Sequence, residues 1–339
     1  MKRILLAVLA VALLAGGCSK KQEAVYEKGT KEYEFFKKLS AKEPLLDPDR
    51  SQPLIKTTTF TVTTKEVLPN LYRLLSGHAA QIQNMNKEQL LEFLRQAAKR
   101  EAEKRLFLAA AAANNITVTE DSVQAQLEKI YAMYGGKENF VNHITSQGLT
   151  MDFVKQDIKD NMIIQKFFKD VAYKNLTVTD KEMKKVYDQG KTATVRHILL
   201  LTQGKSDSAK KAIYKKMEGI LKEARSGKDF AELAKKYSED PGSRANGGLY
   251  EKFPHGKMVK PFENAAFSLP IGSISDIIET QYGYHILKVI GREKYDKPFS
   301  QEKPDIRKML LNIKKREAVY TILDSLKTKY KYEELFPAS

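Results

Sequence analysis

Two stretches in which apolar and polar residues alternate predict two β-strands in the second half of the chain. The first runs from Thr194 to Leu200 and the second from Tyr284 to Ile290. Side chains alternate between the two faces of a strand, so each strand has one predominantly apolar face. These faces carry Val195, His197 and Leu199 in the first strand and His285, Leu287 and Val289 in the second. Each strand therefore places one histidine among apolar neighbours.

Apolar residues three and four positions apart predict helices along most of the first half. The longest such pattern starts after Asn86 and ends near Asn114. It consists of Leu90, Leu91, Phe93, Leu94, Ala97, Ala98, Ala102, Leu106 and Ala109. Thr119, Thr150 and Thr179 each stand before a further helical pattern. We expect all three to cap helix N-termini, because a threonine hydroxyl accepts a hydrogen bond from a free backbone N–H there.

Helical spacing also appears between the two strands and after them. Two amphipathic helices are expected before residue 238, followed by a loop from Ser238 to Gly248 and a short helix that Pro261 begins. We expect the strands to belong to a four-stranded antiparallel sheet surrounded by these helices. After Arg292, apolar residues from Ile306 to Leu326 predict one long amphipathic helix. Such a stripe is not stable unless it packs against other elements.

The first residues have the pattern of an export signal. Lys2 and Arg3 precede an apolar run from Ile4 to Ala15, which is shorter than the roughly 20 residues needed to span a bilayer. The run ends in Leu14-Ala15-Gly16-Gly17-Cys18, which is similar to a bacterial lipobox and implies cleavage before Cys18 and lipidation of that cysteine. The alternative is an ordinary signal peptide that contains a cysteine. Cys18 is the only cysteine, so no disulfide is expected.

The residues after the cysteine are rich in lysine and glutamate and lack a clear apolar period. Pro44, Pro48 and Pro53 interrupt any helix there. We therefore expect a tether over residues 18–52, with one short helix near Tyr33 to Leu39. The composition of residues 57–62 then favours a β-strand.

The charge balance is strongly basic. The chain of 339 residues has a net charge of +16 and a pI near 9.5. Lysines and glutamates are interspersed, and the chain has an export signal, so we expect no nucleic-acid partner. An excess of lysine suits attraction to anionic membrane surfaces or acidic unfolded chains. The alternative is a solvated surface without a partner.

Five motifs between residues 193 and 291 occur in the order found in one enzyme family. They are Arg196-His197-Ile198-Leu199, Tyr237-Ser238-Glu239-Asp240-Pro241, Gly247-Gly248-Leu249, Pro261-Phe262-Glu263-Asn264-Ala265-Ala266-Phe267 and Thr280-Gln281-Tyr282-Gly283-Tyr284-His285-Ile286-Leu287. This stretch resembles the parvulin family of peptidyl-prolyl cis-trans isomerases. The resemblance implies catalysis of X-Pro isomerisation without a metal or cofactor.

The flanking helices are similar to the chaperone segments of extracytoplasmic foldases of the SurA/PrsA type. The implied fold class is α+β, with a helical chaperone domain built from both chain ends and an inserted parvulin domain. The expected limits are a signal peptide over 1–17, a lipidated tether over 18–52, the first part of the chaperone domain over 53–190, the parvulin domain over 191–293 and the completing helix over 294–339.

The resemblance also implies the residues of the site. His197, Asp240, His285 and Tyr282 match catalytic positions, and Leu249, Met258 and Phe262 match the apolar cup that receives proline. Some relatives have a cysteine where this chain has Asp240, so a covalent thiol mechanism is not available here. Tyr282 stands where others carry a serine and is expected to contact the substrate carbonyl. Without the resemblance, the apolar residues are ordinary core and the histidines are satisfied core histidines.

The chain departs from the family pattern after Gly248-Leu249. Tyr250 and Glu251 follow in place of the usual glycine, and the loop is slightly longer. This departure affects the rim of the cup and therefore the substrate preference. Tyr131, Met133, Tyr134, Phe140 and Met151 of the helical segment are candidates to contact unfolded chains, since aromatic residues and methionine suit adaptable binding.

Together these patterns indicate a lipid-anchored periplasmic foldase that isomerises X-Pro bonds and binds unfolded or nascent exported proteins. Ser19, which follows the cysteine, slightly favours the outer membrane. The alternative is a holdase chaperone whose parvulin domain is structural or binds weakly, with little isomerase activity.

Overall fold

The computed structural model describes residues 26–75, 81–82, 84–146 and 149–337. It describes the side chains of all these residues except 73–75. The signal segment and Cys18 lie outside the described residues. The chain divides into two compact units, one of residues 1–171 and 322–339 and one of residues 172–321. In the part of the chain that is described, no helix is both long and apolar enough to cross a bilayer.

The first unit is mainly helical and includes a small antiparallel sheet. Its strands lie in the order β2-β1-β7 and span Pro53–Lys56 (β1), Thr61–Thr63 (β2) and Glu333–Glu334 (β7). Its helices are α1 Lys31–Ser40, α2 Thr64–Leu75, α3 Lys87–Ala113, α4 Glu120–Met133, α5 Lys137–Ser146 and α6 Met151–Phe167. Of the strand expected over residues 57–62, Thr61 and Val62 lie in β2, whereas residues 57–60 form the turn between β1 and β2, which the Thr57 hydroxyl closes by donating to the Phe60 carbonyl.

Part of the segment expected to be a tether belongs to the core of this unit. Phe36, Leu39 and Leu46 are fully buried and pack with strand and helix residues of the same unit. The predicted short helix is present as α1, which is capped by Thr30. The tether expectation does not hold over residues 31–46, since the burial of these apolar side chains fixes this stretch in the fold.

The predicted helix starts are confirmed. Thr119, Thr150 and Thr179 are N-cap residues, and each hydroxyl accepts the backbone N–H three residues further on. Asn86 caps α3 and forms a capping box with Gln89. These starts depend on local hydrogen bonds, which is why a sequence pattern can locate them.

The second unit contains a four-stranded antiparallel sheet in the order β4-β3-β6-β5, as predicted. The strands are β3 Thr192–Leu201, β4 Leu249–Pro254, β5 Ile278–Glu279 and β6 Gly283–Glu293. The helices of the unit are α7 Asp180–Gln189, α8 Asp207–Arg225, α9 Phe230–Tyr237 and α10 Lys260–Ser268. The last helix, α11 Phe299–Lys329, contributes residues to both units.

The two faces of this sheet bury different helices. Ile198, Leu200 and Ile286 pack against α8 and α9. On the other face, Val195, Leu287 and Val289 pack against Phe262, Ala266 and Phe267 of α10. The alternation predicted for β3 and β6 is therefore confirmed, and both histidines lie on the α10 face.

Helices α7 and α11 pack together through Met183, Val186 and Ile306. The same pair is linked by an ion pair between Glu182 and Lys314. Burial of this apolar contact explains why the compact unit begins at residue 172 and not at the expected domain limit of 191. The domain limits drawn from the sequence remain a prediction, whereas the α+β class with helices on both sides of the sheet is confirmed.

Candidate active site

The two predicted histidines face each other across neighbouring strands. His197 lies on β3 and His285 on β6, and their Nδ1 atoms are 3.5 Å apart. The ladder pairs His197 with Leu287 and Leu199 with His285, which sets the two rings on one face at a diagonal. The rings are 2% and 4% exposed, so they belong to the interior of the second unit.

A carboxylate from the loop after α9 completes this pair. The Oδ2 atom of Asp240 lies 3.0 Å from Nε2 of His197 and 3.0 Å from the Tyr250 hydroxyl, and it also accepts a hydrogen bond from Ser243. The loop is fixed to β3 because the Leu199 carbonyl accepts the Glu239 N–H. Three donors therefore converge on one carboxylate oxygen.

The environment sets the charge of each group. Hydrogen bonding from His197 holds the pKa of Asp240 far below its usual range, with further help from Ser243 and Tyr250 and against the opposing effect of burial. Burial, followed by repulsion from His197, lowers the pKa of His285 to about 4. At neutral pH the site therefore holds an anionic carboxylate and a neutral His285 imidazole.

A series of close contacts links the two rings to the carboxylate. Nε2 of His285 lies 2.8 Å from the Thr280 hydroxyl, and the Nδ1 atoms of the two rings are 3.5 Å apart. Nε2 of His197 lies within hydrogen-bond distance of both Asp240 and the Ser243 hydroxyl, which is 2.9 Å away. Because an ionised carboxylate can only accept, the Nε2–H of His197 donates to Asp240.

An apolar wall stands beside the histidines. Phe262 of α10 is 3% exposed, and its ring meets His197 edge-on with centroids 5.4 Å apart and His285 at 5.6 Å. Met258 precedes α10, is half-buried and packs against the same cluster. The structure thus brings Met258 and Phe262 to the histidine face, where the family resemblance had placed them.

Leu249 is not placed in the same way. The register of β3 and β4 pairs Leu249 with Arg196 and Tyr250 with Val195. Val195 shares a face with His197, so Tyr250 points toward the site and Leu249 toward the opposite face. Tyr250, which follows Leu249, therefore lies on the histidine face of the sheet.

Tyr282 lies in the turn that joins β5 to β6. Its backbone N–H donates to the Thr280 hydroxyl, and its side chain is 43% exposed. The turn connects it to Thr280, which contacts His285 directly. A contact of Tyr282 with substrate remains a prediction.

Three residues of this network were missed by the sequence interpretation: Ser243, Tyr250 and Thr280. Ser243 follows Asp240 by three residues in a Gly-rich loop, and no sequence pattern singles it out. Thr280 is part of a recognised motif but was given no role. Tyr250 could not be located because its direction depends on the strand register.

The arrangement is suited to noncovalent catalysis on a peptide. It offers a fixed carboxylate, an ordered pair of imidazoles and an apolar surface formed by Phe262 and Met258. An apolar surface holds a prolyl ring, while fixed dipoles respond to changes in the charge of an amide as it twists.

Comparison with known proteins identifies the domain that contains these residues. Residues 178–293 match the family described as the PPIC-type PPIase domain. Residues 69–169, which belong to the first unit, match the family described as the C-terminus of bacterial trigger factor protein.

Curated relatives match over a longer part of the chain. A foldase protein PrsA of Caldanaerobacter subterraneus subsp. tengcongensis is 36% identical over 69% of this chain and 65% of its own length, slightly less than two thirds. A foldase protein PrsA of a Geobacillus strain is 36% identical over 64% of this chain and 69% of its own length. Foldase protein PrsA 3 of Bacillus cereus is 33% identical over 68% of this chain and 74% of its own length.

Among solved structures, the peptidylprolyl isomerase PrsA of Bacillus anthracis is 28% identical. The comparison covers 68% of this chain and 94% of that chain, with a TM-score of 0.45.

Proposed function

The chain belongs to the PrsA foldase family and carries a parvulin-type peptidyl-prolyl isomerase domain, and from this premise we propose that it is an extracytoplasmic foldase. It isomerises X-Pro peptide bonds and binds unfolded exported proteins. The observation that carries the proposal is the hydrogen-bonded series of His285, His197 and Asp240 beside the apolar wall of Phe262.

The chemistry requires little of the protein beyond differential binding. Rotation about a peptide bond must pass a barrier of roughly 18–20 kcal/mol that amide resonance creates. A site accelerates the rotation when it binds the twisted amide, in which resonance is lost, more tightly than the planar one. A thousandfold acceleration needs only about 4 kcal/mol of such a difference.

The residues of the site divide this task. Phe262 and Met258 hold the prolyl ring and exclude water, which disfavours the charge-separated planar amide. Asp240 acts through its charge on the twisted amide, since it is fixed in place by three donors. His197 and His285 act as positioning residues for that carboxylate, and Tyr282 contacts the substrate carbonyl at the rim.

The helical unit supplies the chaperone function. Of the residues expected to contact unfolded chains, Tyr131 and Phe140 are buried in the core of the unit. Met133 and Tyr134 are 76% and 42% exposed, and Met151 is half-buried against that core. Phe153, which was not among the expected residues, is 41% exposed. We therefore assign client binding to Met133, Tyr134 and Phe153, because exposed aromatic and methionine side chains adapt to varied apolar partners.

The proposed anchor is a lipid on Cys18, in an extracytoplasmic location. Ser19 favours the outer membrane where the organism has one. Replacement of the cysteine, Cys18→Ala, should release the protein from membranes into the soluble extracytoplasmic fraction. Retention of the variant on membranes washed with high salt would show that the lipid is not the anchor.

The experiment that tests the foldase proposal compares the full chain with its Asp240→Asn variant. The client is a protein whose refolding is limited by an X-Pro bond, and both refolding rate and aggregation are followed. We expect the native chain to accelerate refolding and the variant to suppress aggregation equally well without accelerating refolding. Suppressed aggregation without any acceleration of refolding by the native chain would support the holdase alternative, and equal acceleration by both proteins would remove Asp240 from the site.

A further inference from the structure

Tyr250 is the least buried of the three residues that donate to Asp240. Ser243 and His197 are 1% and 2% exposed, whereas Tyr250 is half-buried on the edge strand β4. Its hydroxyl lies 3.0 Å from Oδ2 of Asp240. It therefore contacts the half-buried carboxylate from the more exposed side of the site.

The ring of Tyr250 contributes a second contact. It stacks on His197 with centroids 4.9 Å apart and an angle of 22° between the planes. It also packs against the apolar cluster that contains Val195 and Phe262. One side chain thus covers a face of the catalytic histidine ring, holds the carboxylate and extends the wall beside Phe262.

The local backbone explains why this position faces the site. The ladder between β3 and β4 has an irregularity between Ala193 and Val195, and Lys252 adopts a positive φ of 46°. The His197 N–H donates to the Gly248 carbonyl at 2.8 Å, which fixes the start of β4. Tyr250, two residues later, is directed to the histidine face as a result.

We propose that Tyr250 is a positioning residue of the isomerase site, whose hydroxyl orients the Asp240 carboxylate and whose ring forms the side wall for the prolyl residue. This inference rests on the proposed isomerase function. A leucine in this place would fill the same space but would leave Asp240 with one donor fewer. The orientation of the carboxylate relative to the substrate amide then depends on Tyr250, because its other two donors lie on the buried side.

The ionisation of the pair supports this role. Burial, together with the neighbouring Asp240 carboxylate, raises the pKa of Tyr250 to about 12. The phenol therefore remains a neutral donor at any pH at which the enzyme works. The titratable groups that face it are Asp240 and His197, with His285 behind them.

The test compares four full-length proteins: the native chain, Tyr250→Phe, Tyr250→Leu and the control Tyr237→Phe. Tyr237 donates to Glu223 at 3.2 Å, so the control removes a phenol–carboxylate hydrogen bond elsewhere in the same unit. Isomerisation of an X-Pro peptide is measured as kcat/KM from roughly pH 3 to pH 8, which includes the lowered pKa of His285, about 4.

We expect Tyr250→Phe to lower kcat/KM about tenfold, which corresponds to about 1.4 kcal/mol of transition-state stabilisation. The acid limb reports protonation of the buried network, in which the pKa of His285 is lowered to about 4. It should move to higher pH in Tyr250→Phe, because a carboxylate with fewer donors holds a proton in the network more firmly. Tyr250→Leu should lower kcat/KM further, and Tyr237→Phe should have the kcat/KM and the acid limb of the native chain.

A Tyr250→Phe variant that keeps the native kcat/KM and an acid limb at the native pH would overturn the proposal. A native chain without activity would reject the proposed function instead. In that case the NMR signals of the His197 ring decide the positioning role. They should shift in Tyr250→Phe and not in Tyr237→Phe, and unchanged signals in both variants would reject it.

Discussion

At the scale of single residues, the site depends on a few contacts that join distant parts of the sequence. His197 and His285 are both buried and hydrogen-bonded, as core histidines would be. What separates them from core histidines is that their series of contacts ends on the Asp240 carboxylate beside an apolar wall. The same contacts determine which substitutions should affect turnover and which should affect only stability.

Phe262 provides the sharpest test of the wall, because a matched control exists on the same helix. Phe262 and Phe267 are 3% and 2% exposed. The ring of Phe262 contacts His197 and His285, whereas the ring of Phe267 contacts Phe253. Truncation of either to alanine should cost about 3–5 kcal/mol of unfolding free energy. We expect Phe262→Ala also to lose at least tenfold in isomerisation below its melting temperature.

Phe267→Ala, measured at the same low temperature with the same folded fraction, should retain most of the isomerisation rate. Thermal unfolding and peptide isomerisation on the same samples separate the two effects. Equal activity losses in both variants would place Phe262 in the core and the proline cup elsewhere.

The buried imidazole of His285 predicts a specific dependence of stability on pH. Its pKa falls from 6.5 in an unfolded chain to about 4 in the fold, so the unfolded state binds more protons between these values. Stability should therefore be complete above pH 6.5 and fall by roughly 3 kcal/mol as the pH drops toward 4. Asp240 contributes in a separate window, because its lowered pKa makes stability fall only below its ordinary value of 3.8.

Urea unfolding of the native chain and of His285→Gln at several pH values checks this dependence. The variant should be less stable at pH 7, because Nδ1 of His197 loses its partner. Its stability should also vary less between pH 6.5 and pH 4. A slope as steep as that of the native chain would mean that another group causes the loss.

At the scale of elements, the parts predicted well are those fixed by neighbouring residues in sequence. The caps at Thr119, Thr150 and Thr179 were located because each acts on a backbone group three residues away. The alternation of β3 and β6 was also predicted, since it reflects burial of one face by α10 and of the other by α8 and α9.

The burial and direction of other side chains could not be predicted, because distant contacts determine them. The apolar residues of α1, such as Phe36 and Leu39, are interrupted by lysines and were interpreted as part of a tether. The direction of Leu249 and Tyr250 depends on the register between β3 and β4, and a shift of one residue reverses the face of every side chain. The sequence pattern therefore predicted the strand face that the two histidines share, but not the direction of the Tyr250 side chain.

The start of α7 allows a test of a local element. Thr179 and Glu182 form a capping box, and Glu182 also pairs with Lys314, which lowers the pKa of Glu182 to about 2 together with the hydrogen bonds from Thr179. Thr179→Ala should lower the unfolding free energy by about 1 kcal/mol. Thr177→Ala is the control, because Thr177 is exposed and contributes its carbonyl to Lys314. Denaturant unfolding that shows no difference between the variants would mean the cap is unimportant.

At the scale of the whole molecule, the chain forms a discontinuous helical unit and a unit built around the sheet. The ladder pairs Thr192 with Glu293 and Ala193 with Arg292, so the chain enters and leaves the sheet at adjacent positions. A short linker can therefore replace residues 193–291. The contact between α7 and α11 through Met183, Val186 and Ile306 remains in such a chain.

We expect the chain that lacks residues 193–291 to unfold cooperatively and to suppress aggregation of an unfolded client. Circular dichroism during heating and light scattering of the client measure the two properties. A melt without a cooperative helical transition would show that the helical unit needs the sheet in order to fold.

The central claim is that the site formed by His197, Asp240, His285 and Phe262 twists X-Pro bonds. Exchange NMR on a proline peptide measures the cis–trans rate directly with a catalytic amount of the full chain. We expect the native chain to raise the cis–trans rate. The control variant Glu251→Gln, which changes an exposed carboxylate on β4, should raise the rate equally. Asp240→Asn should lose more than tenfold of the rate enhancement. An uncatalysed rate with the native chain, or full catalysis by a folded Asp240→Asn variant, would contradict the claim.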